Sequence, residues 1–327
     1  MKIYVVKRSF FTFRGKESYE LELLGKSVLS LMCERLGAEL CEESELPKGE
    51  KAVLYPVYPL LKMQDLAELF KIRGSFMFSG GYIDRGGEMS VSTRRLHGGL
   101  FTLADYPALC AQAAKERAEE CMKAGALVEE GAQIDFTAVI KRGAIIRGGT
   151  RVRGNSVVHE NAEIAGGEIF DSEVGENTVV RQSYLEGVRV GKDCTVGPFA
   201  YLRGGSRVGD NCRIGDFVEL KNAKLGNGCK AAHLSYVGDA ELGEWVNVGC
   251  GVVFANYNGK TKSKTVVGKG CFLGSNSNLI APVTVADGAY IAAGTTLTQN
   301  LNEHDFCIGR CRETIKPNRA PKYLNKK

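Results

Sequence analysis

An apolar residue recurs every sixth position through much of the second half of this chain. Val190, Val196, Leu202, Val208, Ile214 and Leu220 keep that spacing, and so do Val267, Leu273, Leu279, Val285, Ile291 and Leu297. Between them the beat continues with one-residue deletions, through Leu225, Ala231 and Val237 and then Leu242, Val248 and Phe254. An earlier run goes from Val128 through Ile134, Ile140, Ile146, Val152 and Val158 to Ile164. No helical period gives six, and neither does simple strand alternation. A hexapeptide repeat is the signature of a parallel β-helix, in which each repeat forms one flat face of a triangular coil.

The glycines support this architecture. Most of the excess among the 40 glycines lies just after the apolar beat, where a turn needs a residue free of Cβ strain. Cys194, Cys212, Cys229 and Cys271 each stand four residues after a beat, a position that takes small inward-pointing side chains. They read as buried reduced thiols acting as small hydrophobes. No C-x-x-C pair occurs among the 11 cysteines, which argues against zinc, and reduced thiols imply a cytoplasmic setting. The net charge of +5 shows no basic stripe of the kind nucleic-acid binders carry. No stretch approaches the roughly 18 apolar residues of a membrane span, and the first residues lack the pattern of a signal peptide.

The spacing divides the chain into four parts. Residues 1–104 lack the repeat and alternate strand and helix: strands over Met1–Val6 and Ala52–Val57, helices over Leu24–Leu36 and Met63–Ile72, closed by Gly37 and Gly74. This is a small α/β domain. Residues 105–124 form a linker helix, residues 125–301 the β-helix, and residues 302–327 a tail. The tail carries seven Lys or Arg after Gly309 against one Glu, a charge pattern that suits a solvated end. The β-helix is interrupted once, by the polar and basic segment Ala255–Val266, and loops that project from a regular solenoid are where function tends to sit.

Several segments carry a specific resemblance: G-P-F-A-Y-L-R-G-G (197–205), G-D-F-V-E-L-K-N-A (215–223) and K-A-A-H-L-S-Y-V-G-D-A-E-L-G (230–243). To these are added N-Y-N-G-K-T-K-S-K-T (256–265) and A-P-V-T-V-A-D-G-A-Y-I-A-A-G-T-T (281–296). The stretch resembles the C-terminal acetyltransferase domain of the bifunctional bacterial N-acetylglucosamine-1-phosphate uridyltransferase/glucosamine-1-phosphate acetyltransferase family. The resemblance implies a mainly β fold with a left-handed parallel β-helix, although general crossover rules favour the opposite hand. It also implies a homotrimer with sites between subunits, and acetyl-CoA as co-substrate with an amino-sugar phosphate as acceptor. It implies no metal for the transfer, no nucleic-acid partner and no membrane.

The N-terminal part departs from that family. Its first strand runs on as V-V-K-R-S-F-F-T-F (5–13), where the family has a Gly-rich phosphate-cradling loop. L-L-G-K-S-V-L-S-L (23–31) and Y-P-V-Y-P-L-L (55–61) still resemble family segments, but Val57 stands where an acidic metal ligand is expected. The domain reads as a shortened nucleotidyltransferase-like relic without uridylyltransferase chemistry; an independent domain of similar pattern is the alternative.

Acetyl transfer to an amine needs a base, donors for the thioester oxyanion, and anchors for two phosphate-bearing reactants. Of the four histidines only His233 lies in a family segment, and an imidazole suits a base near neutral pH. His97, His159 and His304 have no such context. The resemblance implies His233 as general base, with Glu219 orienting it or relaying the proton. It implies Arg203, Lys221 and Lys262 as the phosphate grip, and Tyr236 and Asn247 at the sugar. For acetyl-CoA it points to Cys250, Asn256, Tyr257, Ser275 and Ala293, and to Arg310 and Lys316 in the tail. Cys250 stands where the family has alanine; its backbone N–H is unchanged, its thiol admits a covalent acetyl-cysteine, and its bulk puts the acceptor in question.

The expected activity is acetyl-CoA-dependent N-acetylation of glucosamine-1-phosphate. The alternatives are transfer to another amino sugar or nucleotide amino sugar, and a non-catalytic scaffold or regulatory subunit.

Overall fold

The six-residue beat is the inward-facing position of a parallel β-solenoid. The computed structural model describes residues 1–91, Leu96 and 99–324. By internal packing the chain falls into two units, Met1–Val179 and Val180–Lys327.

In the second unit every beat residue is buried, Leu202, Leu220, Leu273 and Ile291 completely. Register explains the period. Val190 pairs with Val208, Val196 with Ile214 and Leu202 with Leu220, so each coil is three hexapeptides long. The one-residue deletion shortens the next coil, in which Ile214 pairs with Ala231 and Leu220 with Val237. The polar insertion lengthens another without disturbing the stack: Leu242 pairs with Val267, Val248 with Leu273 and Phe254 with Leu279. The coils then resume their ordinary length, with Leu273 on Ile291 and Leu279 on Leu297. The stack also runs further than the spacing predicts. Phe306–Cys307 pairs with Tyr290–Ile291, so the start of the expected tail is still part of the solenoid.

The four repeat cysteines are buried, as the spacing predicts. Each thiol donates to a carbonyl of the next coil: Cys194 to Gly209 at 3.1 Å, Cys212 to Gly226 at 3.2 Å, Cys229 to Gly243 at 3.0 Å and Cys271 to Ala286 at 3.0 Å. The Ser235 hydroxyl does the same to Gly249 at 3.0 Å, so the thiols take a place in the coil-to-coil bonding that a hydroxyl can also fill.

The first unit opens with a mixed sheet of six strands among the described residues. Its order is Met89–Val91, Ser75–Phe78, Gly81–Asp84, Lys51–Leu54, Lys2–Val6 and Glu39–Cys41. Helix α1 (Val28–Leu36) and helix α2 (Met63–Phe70) pack Met32, Leu36, Leu66 and Leu69 onto this sheet. Helix α1 starts later than the apolar pattern predicts. Leu24 and Gly25 have positive φ and close a tight hairpin, and the Ser27 hydroxyl then caps the helix by accepting from Ser30 N–H at 3.1 Å. Gly37, in the left-handed conformation, ends it as expected.

Val57 is fully buried within the same apolar cluster. Helix α3 (Tyr106–Lys123) follows, held to α1 by Arg35–Glu116 at 2.8 Å and to the first coils by Arg117 donating to the Ala138 carbonyl at 2.6 Å. The first coils repeat the register seen later, with Val128 on Ile146 and Ile134 on Val152. They then shorten, pairing Val152 with Ile169 and Val158 with Val174, which is where the six-residue beat stops being readable.

Candidate active site

The solenoid converts sequence separation into stacking. Asp216, His233, Cys250, Ser275 and Ala293 each stand two residues after a beat residue: Ile214, Ala231, Val248, Leu273 and Ile291. Those beats pair in order from coil to coil, so the five residues form one column at one corner. Direct bonds confirm its lower part, where Asn276 N–H donates to the Cys250 carbonyl and Gly294 N–H to the Ser275 carbonyl, each at 2.8 Å. Arg310 extends the column by donating to the Ala293 carbonyl at 2.7 Å. The column thus brings together the expected base and four of the expected cofactor residues.

His233 ends the strand Lys230–His233, and its register partner is Asp216. The two backbones come close because residue 215 is glycine; a Cβ there would strike the Ala232 carbonyl. Nδ1 of His233 lies 2.6 Å from Oδ1 of Asp216. The hydrogen bond with His233 holds the Asp216 carboxyl below the usual carboxylate range, so it stays ionised near neutrality. His233 keeps 53% of its side chain exposed, which leaves the ring accessible to a reactant.

Glu219, the expected partner of the base, is bonded by Arg203. Arg203 donates to its Oε1 from Nε at 3.0 Å and from Nη2 at 2.6 Å, and this bond raises the guanidinium's pKa further. The carboxylate that meets the imidazole is Asp216. Sequence reasoning passed over it, although its place two residues after a beat, one coil before His233, was the available signal.

The strand that follows Asp216 around the corner, Glu219–Lys221, carries Lys221. Glu219 and Tyr236 are register partners, as are Lys221 and Gly238. The Tyr236 hydroxyl lies over Gly238, where any Cβ would collide with it. Lys262 reaches this strand from the polar insertion, and the neighbouring Lys221 ammonium holds its amine below the usual lysine value. Two neighbouring ammonium groups can hold an anion with more than one charge.

The insertion is ordered by its own bonds. Asn258 Oδ1 accepts from Lys260 and Thr261 N–H at 2.9 and 2.8 Å, the Tyr257 hydroxyl donates to Gly259 at 2.7 Å, and Tyr257 bridges to Lys262. Its root is held by Asp239, whose carboxylate accepts from Asn222 at 2.7 Å and from buried Asn256. Asn256 also approaches the Tyr236 hydroxyl at 3.5 Å. A cavity of about 320 Å³ lies beside this root, lined by Asn222, Lys224, Asp239, Glu241, Lys262 and Lys264 among others.

Asn247 is half-buried in the coil that follows His233, and Lys316 lies exposed in the tail. His159 is tied to Glu173 at 2.9 Å, His304 is exposed, and His97 falls outside the described residues. A cavity of about 1180 Å³ in the first unit, between α3 and the first coils, contains none of the expected site residues.

The repeats match the family described as bacterial transferase hexapeptide (six repeats) over residues 187–222 and 264–299. Fold and repeats together define the second half as a parallel β-solenoid of hexapeptide repeats. Over 168 residues, 48% of the chain, the sequence is 51% identical to the bifunctional protein GlmU of Bacillus cytotoxicus. It is 50% identical over the same length to that of Bacillus cereus. The chain covers 37% of the length of each of these relatives. A UDP-N-acetylglucosamine acyltransferase from Campylobacter jejuni aligns over 57% of this chain and 70% of its own, at 20% identity and a TM-score of 0.23. The Arabidopsis UDP-N-acetylglucosamine acyltransferase aligns over 56% and 69%, at 14% identity and a TM-score of 0.32.

Proposed function

We propose that the protein is an acetyl-CoA-dependent N-acetyltransferase that converts glucosamine-1-phosphate to N-acetylglucosamine-1-phosphate in the cytoplasm, without uridylyltransferase activity. The observation that carries this reading is the shared corner: His233 stands in one column with Cys250, Ser275 and Ala293, and two register-paired strands of neighbouring coils bear Arg203 and Lys221.

In this reading Arg203, Lys221 and Lys262 grip the acceptor's phosphate, and Tyr236 and Asn247 contact the sugar. The column of small side chains at Cys250, Ser275 and Ala293 admits the thioester arm, with Asn256 and Tyr257 beside it and Arg310 and Lys316 at its phosphates. The acceptor nitrogen attacks the thioester carbonyl, and Nε2 of His233 takes a proton from that nitrogen as the C–N bond forms. The C–S bond then breaks, and the departing sulfur recovers the proton as the free thiol. His233 acts directly, with no covalent intermediate.

A homotrimer with clefts between subunits fits the exposed apolar side chains of the second unit. Phe199 and Phe217 stack at 5.5 Å with more than half their surfaces in solvent, and Leu234 continues that column. The reading without uridylyltransferase activity is supported by Val57, which stands where the family's acidic metal ligand is expected and is fully buried in an apolar cluster.

One variant of the reading, transfer to a different amino sugar, is motivated by Cys250 standing where the family has alanine. Thiol release from acetyl-CoA with glucosamine-1-phosphate, glucosamine-6-phosphate and UDP-glucosamine separates the versions. A clear preference for the 1-phosphate is expected. Preference for another acceptor would keep the transferase and move its specificity, and failure to bind CoA would remove the reading.

A further inference from the structure

The 2.6 Å contact between Asp216 and His233 bears on which imidazole nitrogen carries the proton. A carboxylate offers only acceptors, so Nδ1 must be the donor in this pair. Nε2 is then left with its lone pair on a half-exposed ring. A short bond from a neutral or charged imidazole to an ionised carboxylate is among the stronger hydrogen bonds a protein makes. Backbone geometry reinforces the pairing: Asp216 and His233 are direct register partners, and Leu234 N–H donates to the Asp216 carbonyl at 2.9 Å.

We propose that Asp216 is the positioning residue of this site, holding His233 in the tautomer whose Nε2 is free to accept the acceptor's proton. The inference rests on His233 being the base. It assigns to Asp216 the role that the family resemblance gave to Glu219, and it leaves Glu219 to fix the Arg203 guanidinium.

Asp216→Asn separates tautomer control from mere support. The side chain is isosteric, but its amide can donate to Nδ1 and so move the ring proton to Nε2. Loss of kcat by about tenfold to a hundredfold is expected, below the loss seen when such a carboxylate is fully buried, because water competes at this exposed pair. KM for both substrates should stay within about twofold. A purely structural role predicts a neutral variant, since the hydrogen bond itself survives.

Nitrogen-15 NMR of the full-length protein, with His233 assigned by its absence in His233→Ala, reads the tautomer directly. The proposal expects a proton on Nδ1 in the wild type and on Nε2 in Asp216→Asn. A wild-type ring protonated on Nε2 overturns it whether or not any variant folds, and so does wild-type kcat in Asp216→Asn. Full activity in His233→Ala would instead remove the base itself, a different failure.

Discussion

Arg203 and Glu219, one coil apart, are joined by two hydrogen bonds from a single guanidinium edge to one carboxylate oxygen. The arrangement sets the plane of Arg203 and leaves Nη1 for a ligand. Its guanidinium also lies 5.2 Å from the centre of the Tyr201 ring, which supports it from another side. A lysine at this position would keep the charge and lose the fork. Arg203→Lys is expected to raise KM for the phosphate acceptor by about tenfold, near 1.4 kcal/mol, with kcat changed far less. Steady-state kinetics with varied acceptor checks this; an unchanged KM would remove Arg203 from the grip.

The approach of Lys221 to Lys262 makes a prediction about pH. Lys262 holds its proton less firmly than an ordinary lysine because a second ammonium faces it. A bound phosphate would relieve that repulsion and favour the protonated form. Acceptor affinity should therefore be strong below the lowered pKa of Lys262 and weaken as pH rises through it, before the ordinary lysine range is reached. Calorimetry in buffers of different ionisation enthalpy should show net proton uptake on binding as that pKa is approached. In Lys221→Met the weakening should move to higher pH, because the opposing charge is gone.

Asp239 anchors the inserted loop through Asn222 and Asn256 while adopting a left-handed backbone at φ 47°. Asp239→Ala would leave the buried Asn256 amide without its acceptor, a cost of about 1–3 kcal/mol. The loop over residues 257–264 should then be cut faster by protease, and kcat/KM should fall through misplacement of Lys262 and Tyr257. Equal proteolysis of variant and wild type would show that the loop's internal bonds suffice.

Cys250 offers a thiol in the acetyl column, and a covalent acetyl-enzyme is the rival to direct transfer. Direct transfer predicts that Cys250→Ala keeps kcat within about threefold, because the backbone N–H is unchanged and no nucleophile is lost. It also predicts that mass spectrometry finds no acetylated Cys250 after mixing with acetyl-CoA alone. Loss of activity by more than about a hundredfold would favour the covalent route.

The solenoid is legible because its period is enforced by burial: Leu202, Val208 and Ile214 recur at six because each fills the same inward position. Even the one-residue deletion after Leu220 could be read as a shorter coil, since the stack tolerates it without a change of facing. Asp216 escaped notice for a related reason. Its neighbour His233 is remote in sequence and adjacent only once coil height is known. Glu219 drew attention instead, and the structure spends that side chain on Arg203. The first unit was harder to bound, because Leu24 continues an apolar pattern that the turn at Gly25 interrupts.

The central claim is that His233 is the base in acetyl transfer to an amino-sugar phosphate. The most direct measurement follows thiol release from acetyl-CoA with glucosamine-1-phosphate, comparing the wild type with His233→Ala under conditions where both are shown to bind CoA. The account predicts robust turnover by the wild type and a loss of about 10²–10⁴-fold in kcat in the variant, with KM values nearly unchanged. Equal turnover by the two proteins would contradict it.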